Sequence, residues 1–237
     1  MNIRDYIIIN GKKSTLINGL IITSLPPITK PKMRYNAEEI DGVDGDTINK
    51  LGYGAYDKTF EIGLSYNYNV DDVIEYFNTE GQIIFSNEPD KYYNFTTLNQ
   101  IDFEKLLRFK KAKITIHVQP FKYSNIESTK TYNFTDESQN LTVRNNGNIY
   151  SKPVITLFGS GTINLSLNGI EVFIINLNGS MVLDTQSQNA YDPNTKDFLN
   201  RYVIGDFKNL YLKVGANTIS WTGNITKVQI DYCSRWI

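Results

Sequence analysis

A chain of 237 residues and 27.1 kDa is long enough for one large or two small domains that bury roughly 70% of their unfolded surface. Its composition, 41% hydrophobic, 13% aromatic and 21% charged, is that of a globular protein rather than a disordered or collagenous one. Lys and Arg number 24, Asp and Glu 25, and the net charge of -1 lacks the basic excess that a phosphate-backbone binder needs.

One Cys, Cys233, leaves no intramolecular disulfide and no Cys-based metal site, and one His, His117, leaves no multi-histidine centre and a poor basis for a Ser-His-Asp triad. The apolar run Tyr6 to Ile9 is too short for a signal-peptide core, and no stretch reaches the ~18 apolar residues of a membrane span. The chain is expected to be soluble.

Up to residue 132 most apolar runs are short, rich in Ile, Tyr and Phe, and bounded by Gly, Asn or Pro, which is strand punctuation. One segment differs. Asn69 can cap a helix in which Val70, Val73, Ile74 and Phe77 recur at helical spacing, with Asp71 and Asp72 in the first turn and Gly81 as a stop. A strand Gln82 to Ser86, a turn Asn87-Glu88-Pro89-Asp90 and a strand Lys91 to Thr96 then make a hairpin. Further on, Ile114, Ile116 and Val118 alternate with Thr115, His117 and Gln119, so one face is core and the other meets water or a partner.

Beyond Tyr132 charge thins and Asn becomes commoner, which sets a domain seam near residue 132. The rest reads as strands: Val154 to Phe158, Ile163 to Leu167, an Asn168-Gly169 turn, Ile170 to Ile175, and Met181 to Leu183. After a polar connection through Asp192-Pro193-Asn194 come Tyr211 to Val214, Thr218 to Thr222 and Val228 to Tyr232, the spacing of a β-sandwich.

Each chemical constellation has a plain structural alternative. Asp41-Gly42-Val43-Asp44-Gly45-Asp46 offers carboxylates on a Gly-containing turn, but position 52 is Gly where a helix-loop-helix calcium loop needs Glu, so an ordinary turn is expected. Glu88 and Asp90 beside Tyr92 and Tyr93 could be a glycosidase pair; two acids flanking a Pro in a turn are expected to be solvated instead. His117 reads as a surface histidine. Lys105, Arg108, Lys110, Lys111 and Lys113, interleaved with Leu106, Leu107 and Phe109, read as a solvated face or a protected sheet edge. Asn94, Asn133, Asn140, Asn164 and Asn224 head glycosylation-type tripeptides that Asn abundance explains. Trp221 shares a strand face with Ile219 and reads as core; the 16 Tyr and 12 Phe suit protein contacts. No catalytic, cofactor-binding or metal-ligating residue is assigned.

Several stretches together resemble the distal tail protein family of long-tailed phages with non-contractile tails. They are Leu20 to Ile28 with Met33-Arg34-Tyr35, the loop Ile40 to Gly45, Gly81 to Ser86 with Pro89 to Tyr93, Asn145-Asn146-Gly147 with Ser151-Lys152-Pro153, Gly159-Ser160-Gly161, Gly215 to Trp221, and Val228 to Trp236. Val43 departs from the family, where a basic residue is common.

The resemblance implies a mostly β fold: an N-terminal β-sandwich with one short helix and a hairpin over 1–132, which closes a hexameric ring, and a peripheral galectin-like β-sandwich over 133–237. It also implies a non-enzymatic structural hub at the virion tail tip, made in the host cytoplasm. Such a hub joins the tail tube protein to the tail-associated and receptor-binding proteins around a channel for DNA, with no cofactor, no membrane and no sequence-specific nucleic acid as partner. The rival readings are a carbohydrate-binding host-surface protein, to which the lack of any His after residue 132 is unfavourable, and a tail hydrolase built on Glu88 and Asp90.

Overall fold

The computed structural model describes residues 5–97, 103–126, 130–133 and 138–237. They form two compact units, Met1–Asn125 with Ile237, and Ile126–Trp236. Both are mostly β, the class that the residue patterns suggest.

In the N-terminal unit the strands are β1 (Ile7–Ile9), β2 (Lys12–Lys13), β3 (Leu20–Ser24), β4 (Met33–Glu39), β5 (Asp46–Tyr53), β6 (Tyr56–Leu64), β7 (Gly81–Phe85), β8 (Lys91–Thr97) and β9 (Lys111–Ser124), with helices α1 (Val70–Phe77) and α2 (Phe103–Phe109). The main sheet runs β2-β1-β7-β8-β9-β6-β3 with antiparallel neighbours, while among the described residues β4 and β5 pair only with each other. Helix α1 begins where expected: Asn69 Oδ1 accepts from the Asp71 N–H at 3.0 Å. Its buried residues Val73, Tyr76 and Phe77 join Phe60, Phe85 and Tyr93 in a core of tilted and edge-on rings. The run Lys105 to Lys113 holds a second helix that its basic residues obscured; Leu106 enters the core, and Arg108, Lys110, Lys111 and Lys113 are exposed. The side chain of Lys105 lies outside the described residues.

The C-terminal unit comprises β10 (Lys130–Asn133), β11 (Ser138–Asn145), β12 (Val154–Leu167), β13 (Ile170–Asp184), β14 (Asn189–Tyr191), β15 (Val203–Gly205), β16 (Gly215–Asp231) and the short β17 (Arg235–Trp236). Three expected pairs of separate strands are each one long strand: 154–158 with 163–167, 170–175 with 181–183, and 218–222 with 228–232. The chain bends without leaving the ladder, because register shifts occur at Phe158/Gly159, Gly161/Ile163 and Ser160/Asn164. Glycines serve these corners: Gly161, Gly179 and Gly223 have φ of 85°, 84° and 102°, and a Cβ on Gly159 would fall on the Asn224 carbonyl oxygen.

Each long strand thus feeds one core from both ends: Ile155 and Leu157 with Ile163 and Leu165, Val172 and Ile174 with Leu183, Ile219 and Trp221 with Val228 and Ile230. Trp221 is 2% exposed, as its strand face predicts. The Asn168-Gly169 turn has both residues at positive φ, 53° and 84°, the hairpin geometry its sequence demands. Tyr211 to Val214 is not a strand. A bridge between Ser151 and Leu212 and the Asn217 side chain, which accepts from the Lys213 N–H at 2.7 Å and donates to Lys213 O at 2.9 Å, hold it, and both Leu210 and Leu212 are buried.

Candidate functional site

The hairpin β4–β5 is the least covered element of the N-terminal unit. Its register places Tyr35 opposite Lys50, Ala37 opposite Ile48 and Glu39 opposite Asp46, with a bulge at Arg34/Tyr35 facing Gly52 at φ 105°. Paired residues share a face, so Tyr35, Ala37 and Ile48 make one apolar stripe, and Tyr35 and Ile48 are 52% and 56% exposed. The acidic loop is the hairpin tip. Asp41, Asp44 and Asp46 all face solvent beside exposed Ile40 and Val43, and no group of three His, Cys, Asp or Glu that could hold a metal occurs among the described residues.

A proline-rich strap, residues 25–32, carries the chain from β3 into this hairpin. Side chains of the main sheet and its turn meet its carbonyls: Asn87 Nδ2 donates to Pro26 O at 3.2 Å, Lys58 Nζ to Pro27 O at 2.7 Å, and the Tyr56 hydroxyl to Thr29 O at 3.4 Å. The Gly54 N–H closes the hairpin base on Lys32 O at 2.9 Å, and the Tyr53 ring meets Phe121 edge-on at 5.6 Å.

Behind the strap lies a buried charge cluster. Lys58 and Lys122 are 4% and 6% exposed. Glu88 accepts from Lys122 Nζ at 2.8 Å on Oε1 and from the Tyr93 hydroxyl at 2.9 Å on Oε2. Among the described residues Lys58 has no ion pair; its ammonium lies 5.0 Å from the Tyr93 ring centre and 5.6 Å from that of Tyr56. Burial lowers the Lys58 ammonium from 10.5 to about 8, with Glu88 opposing and Lys122 reinforcing the shift. Burial, and next the Glu88 charge, push the Tyr93 phenol up.

This cluster corrects the expectation of a solvated Glu88. The carboxylate turns inward because its partners sit on β8 and β9, whereas Asp90 stays exposed and pairs with Lys91 at 2.8 Å. Glu88 and Asp90, the acids that could make a glycosidase pair, therefore face different surroundings. Of the two tyrosines beside them, Tyr93 is core, and Tyr92 stacks on Tyr123 at 5.4 Å. His117 occupies the outward face of β9 as expected, with Nδ1 2.7 Å from Asp57 Oδ1. The Asn133 tripeptide lies partly outside the described residues.

Two β-rich units in this order define a fold shared with a phage hub protein. One similar structure is the SPP1 Dit (gp 19.1) protein, described as a paradigm of hub adsorption apparatus in Gram-positive infecting phages. It aligns with a TM-score of 0.65 and 16% identity over 98% of this chain and 99% of that one. The phage P2 baseplate in its activated conformation with Ca aligns with a TM-score of 0.46 and 9% identity over 97% of this chain and 98% of that one. No family model matches the chain, and no curated protein matches it.

Proposed function

We propose that the chain is a structural hub of a phage tail tip, a distal tail protein that assembles as a hexameric ring around a DNA channel. The observation that carries this reading is the hairpin β4–β5. A lone two-stranded hairpin is marginally stable in water, and this one keeps Tyr35, Ala37 and Ile48 on a face that its own unit leaves uncovered. Such a face suits a second copy. Ring closure needs one patch meeting a different patch on the neighbour, and an apolar arm separate from the main sheet can supply the first. The shared fold with SPP1 Dit supports the same reading.

In this reading the N-terminal unit builds the ring, the galectin-like C-terminal unit lies peripherally, and no reaction is catalysed. The tail tube protein binds above; the tail-associated and receptor-binding proteins bind below. A near-neutral chain suits a channel that DNA crosses without being held. Co-expression with the neighbouring tail proteins followed by negative-stain microscopy tests the proposal, with six-fold annuli as the expected particle and persistent monomers under all conditions as the opposing result.

A further inference from the structure

We propose that the strap of residues 25–32 is a proton-linked latch on the hairpin: docked on the sheet through Asn87, Lys58 and Tyr56, it releases more readily as pH falls. This holds for the isolated chain and does not depend on the hub reading.

Pro26, Pro27 and Pro31 stiffen the strap and remove N–H donors; Pro26 and Pro31 are buried, Leu25 packs against the core, and three strap carbonyls accept from side chains. The central attachment is Lys58, which is buried and donates to Pro27 O. Four groups face it: the Tyr56 phenol on its own strand β6, Glu88 in the β7–β8 turn, Tyr93 on β8 and Lys122 on β9. The carboxylate is hydrogen-bonded to Lys122 and Tyr93, so Lys58 has a neutral carbonyl and two ring faces for company.

Lifting the strap hydrates Lys58 and returns it towards its ordinary 10.5, whereas docking holds it at about 8. Docking therefore expels a proton between those two values. Linkage then makes the strap's opening constant roughly tenfold larger at pH 7 than at pH 9, nearly flat below pH 7, and smallest above 10.5. Because Lys32 leads directly into Met33 at the start of β4, release frees one of the hairpin's two chain connections, and the Gly54–Ala55 connection to β6 remains.

Native-state proteolysis of the full chain tests the latch. Subtilisin cleavage within residues 25–32 is measured at pH 7 and pH 9, and each rate is divided by that of a free peptide of the same residues, so that it reports the open population. The expected ratio is about tenfold in favour of pH 7 for the native chain. Lys58→Met, which cannot titrate, and Lys58→Arg, which stays charged, should each be cut at equal normalised rates at the two pH values. A native ratio near one, a slope that survives in Lys58→Met, or cleavage of β6 and β9 at the same rate as the strap would overturn the proposal.

Discussion

Glu88→Gln removes the carboxylate that pairs with the Lys122 ammonium and acts on that of Lys58 through space. The Lys122 and Glu88 side chains are 8% and 11% exposed and 2.8 Å apart, so the variant leaves both cations without that counter-charge. Breaking such a pair from one side costs about 3–5 kcal/mol, a large part of the ~5–15 kcal/mol that holds a domain together. Gln retains an acceptor for the Tyr93 hydroxyl, so the loss is chiefly that of the charge. Adding Lys58→Met removes one of the two stranded cations, and the double variant should recover about 1 kcal/mol or more relative to the sum of the single changes.

Hydrogen exchange of the β6–β9 ladder amides in urea reads the effect, and exchange of the β12–β13 ladder amides serves as an internal control that should not move. A loss below about 1 kcal/mol in the ladder would refute the idea that Glu88 neutralises this cluster.

Three further outcomes follow from other parts of the fold. The N-terminal unit should gain stability from pH 8 to 9.5, because the unfolded chain keeps the Lys58 proton that the folded chain loses; the gain is about 1.5 kcal/mol before the Tyr56, Tyr76 and Tyr93 phenols, held protonated in the fold, oppose it, and urea midpoints that fall over that range would contradict it. Gly159→Ala places a methyl group against the Asn224 carbonyl oxygen; the C-terminal unit should lose about 1–3 kcal/mol, seen as an earlier tryptophan transition with the β6–β9 ladder unchanged. Asn69→Ala deletes the cap of α1 and should cost about 1 kcal/mol, measured as faster exchange at Val73, whose N–H donates to Asn69 O.

What the sequence made readable was local. Asn69 and the spacing of Val73 and Phe77 define α1, Asn168-Gly169 defines a turn, and the alternation around His117 and around Trp221 assigns their faces, since each signal lies within a few residues. What escaped was non-local or two-sided. Glu88 finds Lys122 from 34 positions away, and nothing in a Pro-containing turn announces that partner. The long strands β12, β13 and β16 looked like pairs because glycine corners resemble turns when the ladder is unseen. The hairpin β4–β5 has solvent on both faces, so it lacks the alternation that marks a half-buried strand, and α2 was masked by its cations.

The most direct measurement of the central claim compares the native chain with Ile48→Asp, each co-expressed with the adjoining tail proteins and imaged by negative stain. The native chain should give six-fold annuli, and the variant, with a charge in the apolar stripe of the hairpin, should give single folded particles of unchanged circular dichroism. Annuli from both would move the ring contact away from the hairpin. Single particles from both, with every tail component present, would contradict the assignment as a ring-forming hub.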